Sequence, residues 1–383
     1  MRILSIETSC DETAIALVEA TGDFPNATYT VRAHALFSQI DIHKEYGGVF
    51  PAVAKREHAR TLVPMLQKVV TDSKEDVTPR KLTDDERAKL NGILEREFDL
   101  AQGLIRFIES VGLPEVDLVS VTQGPGLEPA LWVGINFAKA LSQITGVPVI
   151  PINHMEGHII SSVFDGTKLA EVQFPAISLL ISGGHTELIL MESWEKRVKI
   201  GATRDDAVGE AFDKTARMLG FSYPGGPEIS RVAAHARDEQ IPIPFALPRP
   251  MLNTDDFDFS FSGIKTAVRY GIEKITLDDD ARAGVAREFE DAVTAVLVKK
   301  TLTALDKYNA RSLIIGGGVI ANKYIRSEFE KVLSETDTIL YVPHAHLATD
   351  NAIMIALAAH EAFCQNATHS PILTANGKWS VEK

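Results

Sequence analysis

Two stretches of this chain, ILSIETSCDETAIALVE at 3–19 and ISLLISGGHTELILM at 177–191, follow one pattern: an apolar run, a short polar or glycine bend, and a second apolar run. Short runs rich in Ile and Leu, broken by turn residues, read as strand hairpins. The same hairpin in each half of a chain implies an internal duplication. Beyond the hairpins come strand-like VDLVSVTQGPG at 116–126 and helix-like INFAKALSQI at 135–144, which places the chain in the α/β class.

The 383 residues suit two domains at the prior of about 150 residues each. The DGTKLAEVQFP stretch separates a first lobe, 1–172, from a second, 173–350. The apolar NAIMIALAAHEAFC opens a segment, 351–383, expected to pack back on the first lobe, with the last residues a loose tail. The densely charged stretch 73–100 reads as an insertion, a solvated helical excursion. With 45 % hydrophobic and 24 % charged residues the chain is of globular type. No apolar run nears the roughly 18 residues of a membrane span. The start lacks a targeting pattern, and two distant cysteines, Cys10 and Cys364, suit a reducing compartment. A cytoplasmic location is expected. The net charge of −13 withholds phosphate attraction from the surface at large, so any nucleic-acid contact must be local.

The stretch NHMEGH sets His154 and His158 one helical turn apart on one face, with Glu156 on the other. The glutamate therefore cannot serve as in the zinc-protease helix H-E-x-x-H. Two such histidines either fill a surface or core, or bind a metal with a third ligand. In LATDNAIMIA, Asp350 precedes an apolar helix, where it is either an N-cap or that third ligand. Two histidines and a carboxylate suit iron or zinc. Three glycine clusters end strands: SGGHT at 182–186, YPGGP at 223–227 and IIGGGVIANKY at 314–324. Each allows close backbone approach to an anion or is merely a turn, and none matches a P-loop or a dinucleotide fingerprint. Asp213, in the helix-like DDAVGEAFDKTAR, is a candidate acceptor for nucleoside hydroxyls or an exposed acid.

Taken in order, ETSCDET, GGVFPAVAKREHA, GPG, NHMEGH, LISGGHTEL, GEAFDKTA, YPGGP, FSFSGIKTA, GGGVIAN and ATDNAIMIA resemble the TsaD-type tRNA N6-adenosine threonylcarbamoyltransferases over nearly the whole chain. The resemblance implies two related lobes of the actin-like ATPase (ribonuclease H-like) fold with an interlobe cleft. It implies transfer of threonylcarbamoyl from threonylcarbamoyl-AMP to the adenosine beside the anticodon, in tRNAs reading codons that begin with A, with release of AMP. His154, His158 and Asp350 match its metal positions, for one divalent ion, iron favoured and zinc possible. Leu180, Ile181, Ser182, Gly183 and Gly184 match its substrate-phosphate hairpin, and Asp213, Gly226 and Asn322 its nucleotide contacts. Accessory protein subunits are implied as partners. Asp11 and Glu12 are candidate acceptors of the amine proton. Lys55, Arg56 and Arg60, on a helix expected to begin near Ala52, are candidates for tRNA phosphates. The sequence departs from the family at Ser230, where many members are acidic, in LEPALWVG after the GPG, and in PHAH, where His344 or His346 could compete as a ligand. Rival readings are a small-molecule kinase of the same fold and a non-catalytic nucleotide-binding partner.

Overall fold

A computed structural model describes residues 1–365 and 373–383. The chain divides into two units, Met1–Ala170 with Asp350–Ser380, and Glu171–Thr349 with Val381–Lys383. The first unit opens with β1 (Arg2–Glu7), β2 (Glu12–Thr21) and β3 (Thr28–Ser38), an antiparallel meander. It continues through α1 (Ile40–Lys44), α2 (Pro51–Ser73), α3 (Asp84–Ile93), α4 (Phe98–Ser110), β4 (Leu118–Gly124), α5 (Glu128–Thr145), β5 (Val149–Asn153) and α6 (His154–Ser162). β4 and β5 join parallel to β1, giving the order β3-β2-β1-β4-β5.

The second unit repeats this plan. β6 (Ala176–Ile181), β7 (Thr186–Met191) and β8 (Arg197–Ala202) form the meander. α7 (Val208–Met218), α8 (Gly225–Asp238), α9 (Ser262–Ile272) and α10 (Asp279–Lys307) lead to β9 (Ser312–Gly316), α11 (Lys323–Leu333) and β10 (Ile339–Tyr341). The order β8-β7-β6-β9-β10, with β9 and β10 parallel to β6, is the first sheet's order again. Two ribonuclease H-like sheets of the same order bear out the duplication that the repeated hairpins imply and the actin-like ATPase architecture that the family resemblance implies. The final helix, α12 (Ala352–Cys364), belongs to the first unit.

Helices on both faces of the first sheet explain why β1 is buried from Ile3 to Glu7. Leu4 and Ile6 enter the core formed with α2, α4 and α5. On the other face, the Ser5 hydroxyl donates to the Ala352 carbonyl (2.6 Å), tying α12 down. The small residues of α12 permit this close approach.

The charged excursion is less solvated than its composition implies. Thr83 and Glu86 form a capping box at the start of α3, with Asp84 and Asp85 alongside at the positive helix end. Leu82, Leu90 and Leu94 are buried in the first unit's core. Apart from the buried Glu97, the charges lie at the surface, and three leucines anchor the segment.

The expectation of a loose C-terminal tail is overturned for residues 373–383. Lys139 Nζ donates to the Leu373 carbonyl (2.9 Å), the Asn376 N–H to the Gln123 carbonyl (2.9 Å), and the Asn153 amide to the carbonyls of Trp379 and Ser380 (3.2 and 3.0 Å). Gly124 admits this strand of chain, since a Cβ there would stand 1.9 Å from the Asn376 oxygen. Local polarity could not reveal these long-range bonds to the segment's backbone. Among the described residues no helix is long and apolar enough to cross a membrane.

Candidate functional site

β5 ends at Asn153, whose side chain accepts the Met155 N–H (2.9 Å) and so starts α6 at His154. His154 and His158 then lie one turn apart, ring centroids 4.7 Å from one another at 88°. α12 supplies the third group. Its N-cap is Asn351, which accepts the Met354 N–H (3.0 Å), rather than Asp350. With the cap filled by its neighbour, the Asp350 carboxylate is left to the histidines. Its Oδ1 lies 3.3 Å from His154 Nε2 and 3.2 Å from His158 Nε2. One donor atom from each residue falls within 4.8 Å of the other two. Ligands about 2.1 Å from a common ion stand roughly 3.0–3.4 Å apart at octahedral to tetrahedral angles, and the two Asp350–histidine separations fall in that range, so the three residues could hold a metal ion.

Sequence reasoning missed Glu7. Fully buried at the end of β1, it accepts from the Ser9 N–H and the Thr122 hydroxyl and lies 3.1 Å from His154 Nδ1. A carboxylate can only accept, so a ring proton sits on Nδ1 toward Glu7. The only signal was an acid at a strand end, inside ETSCDET. Burial opposes a charge on His154, but the carboxylates of Asp350 and Glu7 outweigh it and raise its pKa well above the ordinary value. Burial lowers that of His158. Asp350 is held low, the two histidines overcoming the effect of burial.

Asp11 lies on the bend between β1 and β2, and Glu12 opens β2. Asp11 is buried, and its pKa is raised by burial and by Asp350. Glu12 accepts from the Ser38 hydroxyl (3.2 Å) and is raised further, by burial and by Asp11. Burial also keeps the Cys10 thiol protonated. A second missed feature, a relay of buried side chains, holds this bend. The Phe50 N–H donates to His43 Nδ1 (3.4 Å), and His43 Nε2 to Gln39 Oε1 (3.2 Å). The Gln39 amide then reaches His58 Nδ1 (3.3 Å), where Thr13 Oγ1 also lies (2.8 Å), and His58 Nε2 donates to the Cys10 carbonyl (3.0 Å). Burial lowers the His58 pKa to about 4, so it stays neutral as the relay requires. On the far side, Gly126 lets α5 approach the bend: a Cβ there would meet the Ser9 oxygen at 2.6 Å, and the Leu127 N–H donates to that oxygen (2.8 Å).

In the second unit, Leu180 and Ile181 are fully buried strand residues, so only their backbone is open to a ligand. The bend Ser182–His185 is closed by the Ser182 N–H on the His185 carbonyl (2.9 Å), and the N–H groups of Gly184 and His185 donate to Ser182 Oγ (3.3 and 3.0 Å). Two other loops meet this one. The Gly209 N–H donates to the Ser182 carbonyl (3.2 Å), and Gly317 packs on Ile181 so closely that a Cβ would stand 2.4 Å from its oxygen. Asp213 accepts the Gly225 N–H (2.7 Å) at the start of α8, which brings Gly226 beside it. Asn322 caps α11 through the Tyr324 and Ile325 N–H groups (3.0 Å each) and donates to Glu290 (2.7 Å). Glu290 is fully buried and paired with Arg237, whose guanidinium lies 3.4 Å from the Tyr324 ring centroid. Asp213 and Asn322 thus spend side-chain capacity on helix starts. His344 and His346 lie outside the metal-type cluster, exposed and stacked on one another at 5.9 Å.

Lys55, Arg56 and Arg60 lie on α2, which begins at Pro51. Lys55 reaches Glu97 (2.9 Å), whereas Arg56 and Arg60 both reach the buried Glu57 carboxylate (3.0 and 3.1 Å). The two arginines stay 61 and 69 % exposed and leave one positive charge in excess beside that carboxylate.

The profile of the TsaD family, tRNA N6-adenosine threonylcarbamoyltransferase, matches residues 30–84 and 105–357. The break between the two matches falls on α3 and the first half of α4. A protein of that name from Nitrosomonas europaea is 39 % identical over 358 residues, 94 % of this chain and 91 % of its own. That of Nitrosospira multiformis is 37 % identical over 385 residues, 100 % of this chain and 98 % of its own. That of Thermosipho africanus is 36 % identical over 375 residues, 98 % of each.

Proposed function

Because the chain belongs to the tRNA N6-adenosine threonylcarbamoyltransferase family, and is therefore a tRNA-modifying transferase, we propose that it moves threonylcarbamoyl from threonylcarbamoyl-AMP to N6 of the adenosine next to the anticodon. The tRNAs are those reading codons that begin with A. The N6 amine attacks the carbamoyl carbon, the bond from that carbon to the phosphate oxygen breaks, and AMP leaves. One divalent metal, iron favoured over zinc, is held by His154, His158 and Asp350. The observation that carries this reading is the release of Asp350 from capping duty to face two histidine Nε2 atoms.

When bound, the metal supplies Lewis-acid stabilisation of oxygen charge. Glu7 keeps the His154 proton on Nδ1. The bend at Ser182–Gly184 offers open backbone for the substrate's phosphate, with Asp213, Gly226 and Asn322 beside the nucleoside. Asp11 or Glu12 takes the proton that N6 loses, a role to which a raised pKa suits a carboxylate. Positioning of an already activated anhydride dominates the rate. Accessory subunits and a cytoplasmic setting belong to the same reading.

The test is to load the chain with metal and incubate it with unmodified tRNA and threonylcarbamoyl-AMP, with and without accessory subunits. Digested tRNA is then searched by mass spectrometry for threonylcarbamoyladenosine. Absence of that nucleoside under every condition would overturn the reading. Glu7→Gln should weaken metal affinity about 10- to 100-fold in a competitive chelator titration, with the fold retained. Replacing Arg56 and Arg60 with Gln should flatten the salt dependence of tRNA binding by about one unit of slope for each phosphate no longer neutralised. Because that change strands Glu57, the same pair is also measured with Glu57→Gln. Unaltered slope and affinity would take α2 out of the tRNA surface.

A further inference from the structure

Tyr46 and Phe50 stand on the loop between α1 and α2, each 54 % exposed. Their rings lie 5.9 Å apart and 20° from parallel. Single exposed apolar side chains are ordinary on a protein surface, but two large rings presented face to face are already ordered for a third flat group.

The loop is rigidly tied. The N–H groups of Tyr46 and Gly48 donate to the His43 carbonyl (3.0 and 3.3 Å), and that of Phe50 to the His43 ring (3.4 Å). Through His43, Gln39 and His58 the relay runs to the Cys10 carbonyl, and the Gln39 N–H donates to the Asp11 carbonyl (2.9 Å). The aromatic pair is thereby coupled to the bend bearing the proposed proton acceptors.

Glu45 is exposed on the loop and Asp41 is paired with Lys44, while the start of α2 beside the rings is positive. Phe50 is the N-cap of α2, a helix with no capping side chain and no acid in its first turn, so its partial positive end is not neutralised. The exposed Arg56 and Arg60 follow within three turns. Flat apolar rings beside positive charge form the chemistry that holds an unpaired nucleobase and its phosphates. An adenosine modified at N6 must also leave its stack to present that amine.

We propose that Tyr46 and Phe50 form the stacking platform for one unpaired base of the tRNA loop that carries the target adenosine. This rests on the proposed function, and the experiment separates the two. The full-length chain is titrated with a fluorescent, unmodified anticodon stem-loop at several salt concentrations. Tyr46→Ala and Phe50→Ala should each weaken binding on the order of tenfold without altering the salt slope, in contrast to the arginine variants. Tyr46→Phe and Phe50→Tyr should restore it, Phe98→Ala, an exposed ring on α4, should change nothing, and melting temperature reports on folding. An abasic sugar scanned along the loop should, at one position, cost the wild type as much as the alanine variants, and the two losses should not add. Unchanged affinity in the double alanine variant, or full additivity at every abasic position, overturns the platform. If the wild type binds and modifies the RNA regardless, the function stands and only the platform falls. If the wild type fails to bind the stem-loop with and without accessory subunits, the platform falls, and the modification assay decides the function by itself.

Discussion

His154→Ala and His158→Ala should each reduce bound metal from about one ion per chain to near zero while the chain stays folded. A site of three protein donors that loses one keeps only two, and the carboxylate between them then faces a single imidazole. The fold should survive because α6 is started by Asn153 and α12 by Asn351, neither of which depends on the rings. Metal analysis after loading and desalting, beside a thermal melt, gives both readouts. Asp350→Ala should behave like the histidine variants. Asn351→Ala should do the reverse, losing about 1 kcal/mol of cap stabilisation while keeping metal at ordinary temperature. Full metal content in both histidine variants would make the pair structural.

Gly184→Val should weaken adenine-nucleotide binding by tenfold or more and leave the melting temperature where it was. The separation is possible because a Cβ at Gly184 meets no atom within 4 Å, so the fold gives the new side chain room and only a ligand would feel it. Gly225→Val is the counterpart. There a Cβ would lie 2.5 Å from the Ala216 side chain and 2.7 Å from the Asp213 backbone, so stability should fall by about 1–3 kcal/mol or more. Calorimetric titration with a nucleotide, paired with melting curves, decides the matter. Equal affinity for wild type and Gly184→Val would remove the bend from the binding site.

Both expectations began in short motifs, and what made those motifs legible was their periodicity. His154 and His158 are four residues apart, so one helix suffices to pair them. The strand hairpins at 3–19 and 177–191 are local too, and their repetition led to the duplicated sheet order. The helix beginning near Ala52 and the turn chemistry of SGGHT follow from neighbours in the chain for the same reason.

Glu7, His58 and the choice between Asp350 and Asn351 were beyond such reasoning. Aspartate and asparagine cap helices about equally well, so ATDN alone leaves two candidates for one position. Only the packing of α12 against α6 sets the carboxylate before the histidines and gives the cap to Asn351. Glu7 matters because β1 ends beside α6, a neighbourhood made by parallel pairing across more than a hundred residues. The C-terminal segment looked polar and loose, yet it is held through its own backbone groups, by the Lys139 and Asn153 side chains and the Gln123 carbonyl, and backbone groups carry no sequence signature. The sequence by itself determined the elements, their duplication and the residue types available for chemistry, because these depend on local spacing. Which carboxylate meets which imidazole, which acid is buried and which charge is already paired were decided by tertiary structure, because burial and partnership depend on what other parts of the chain bring alongside.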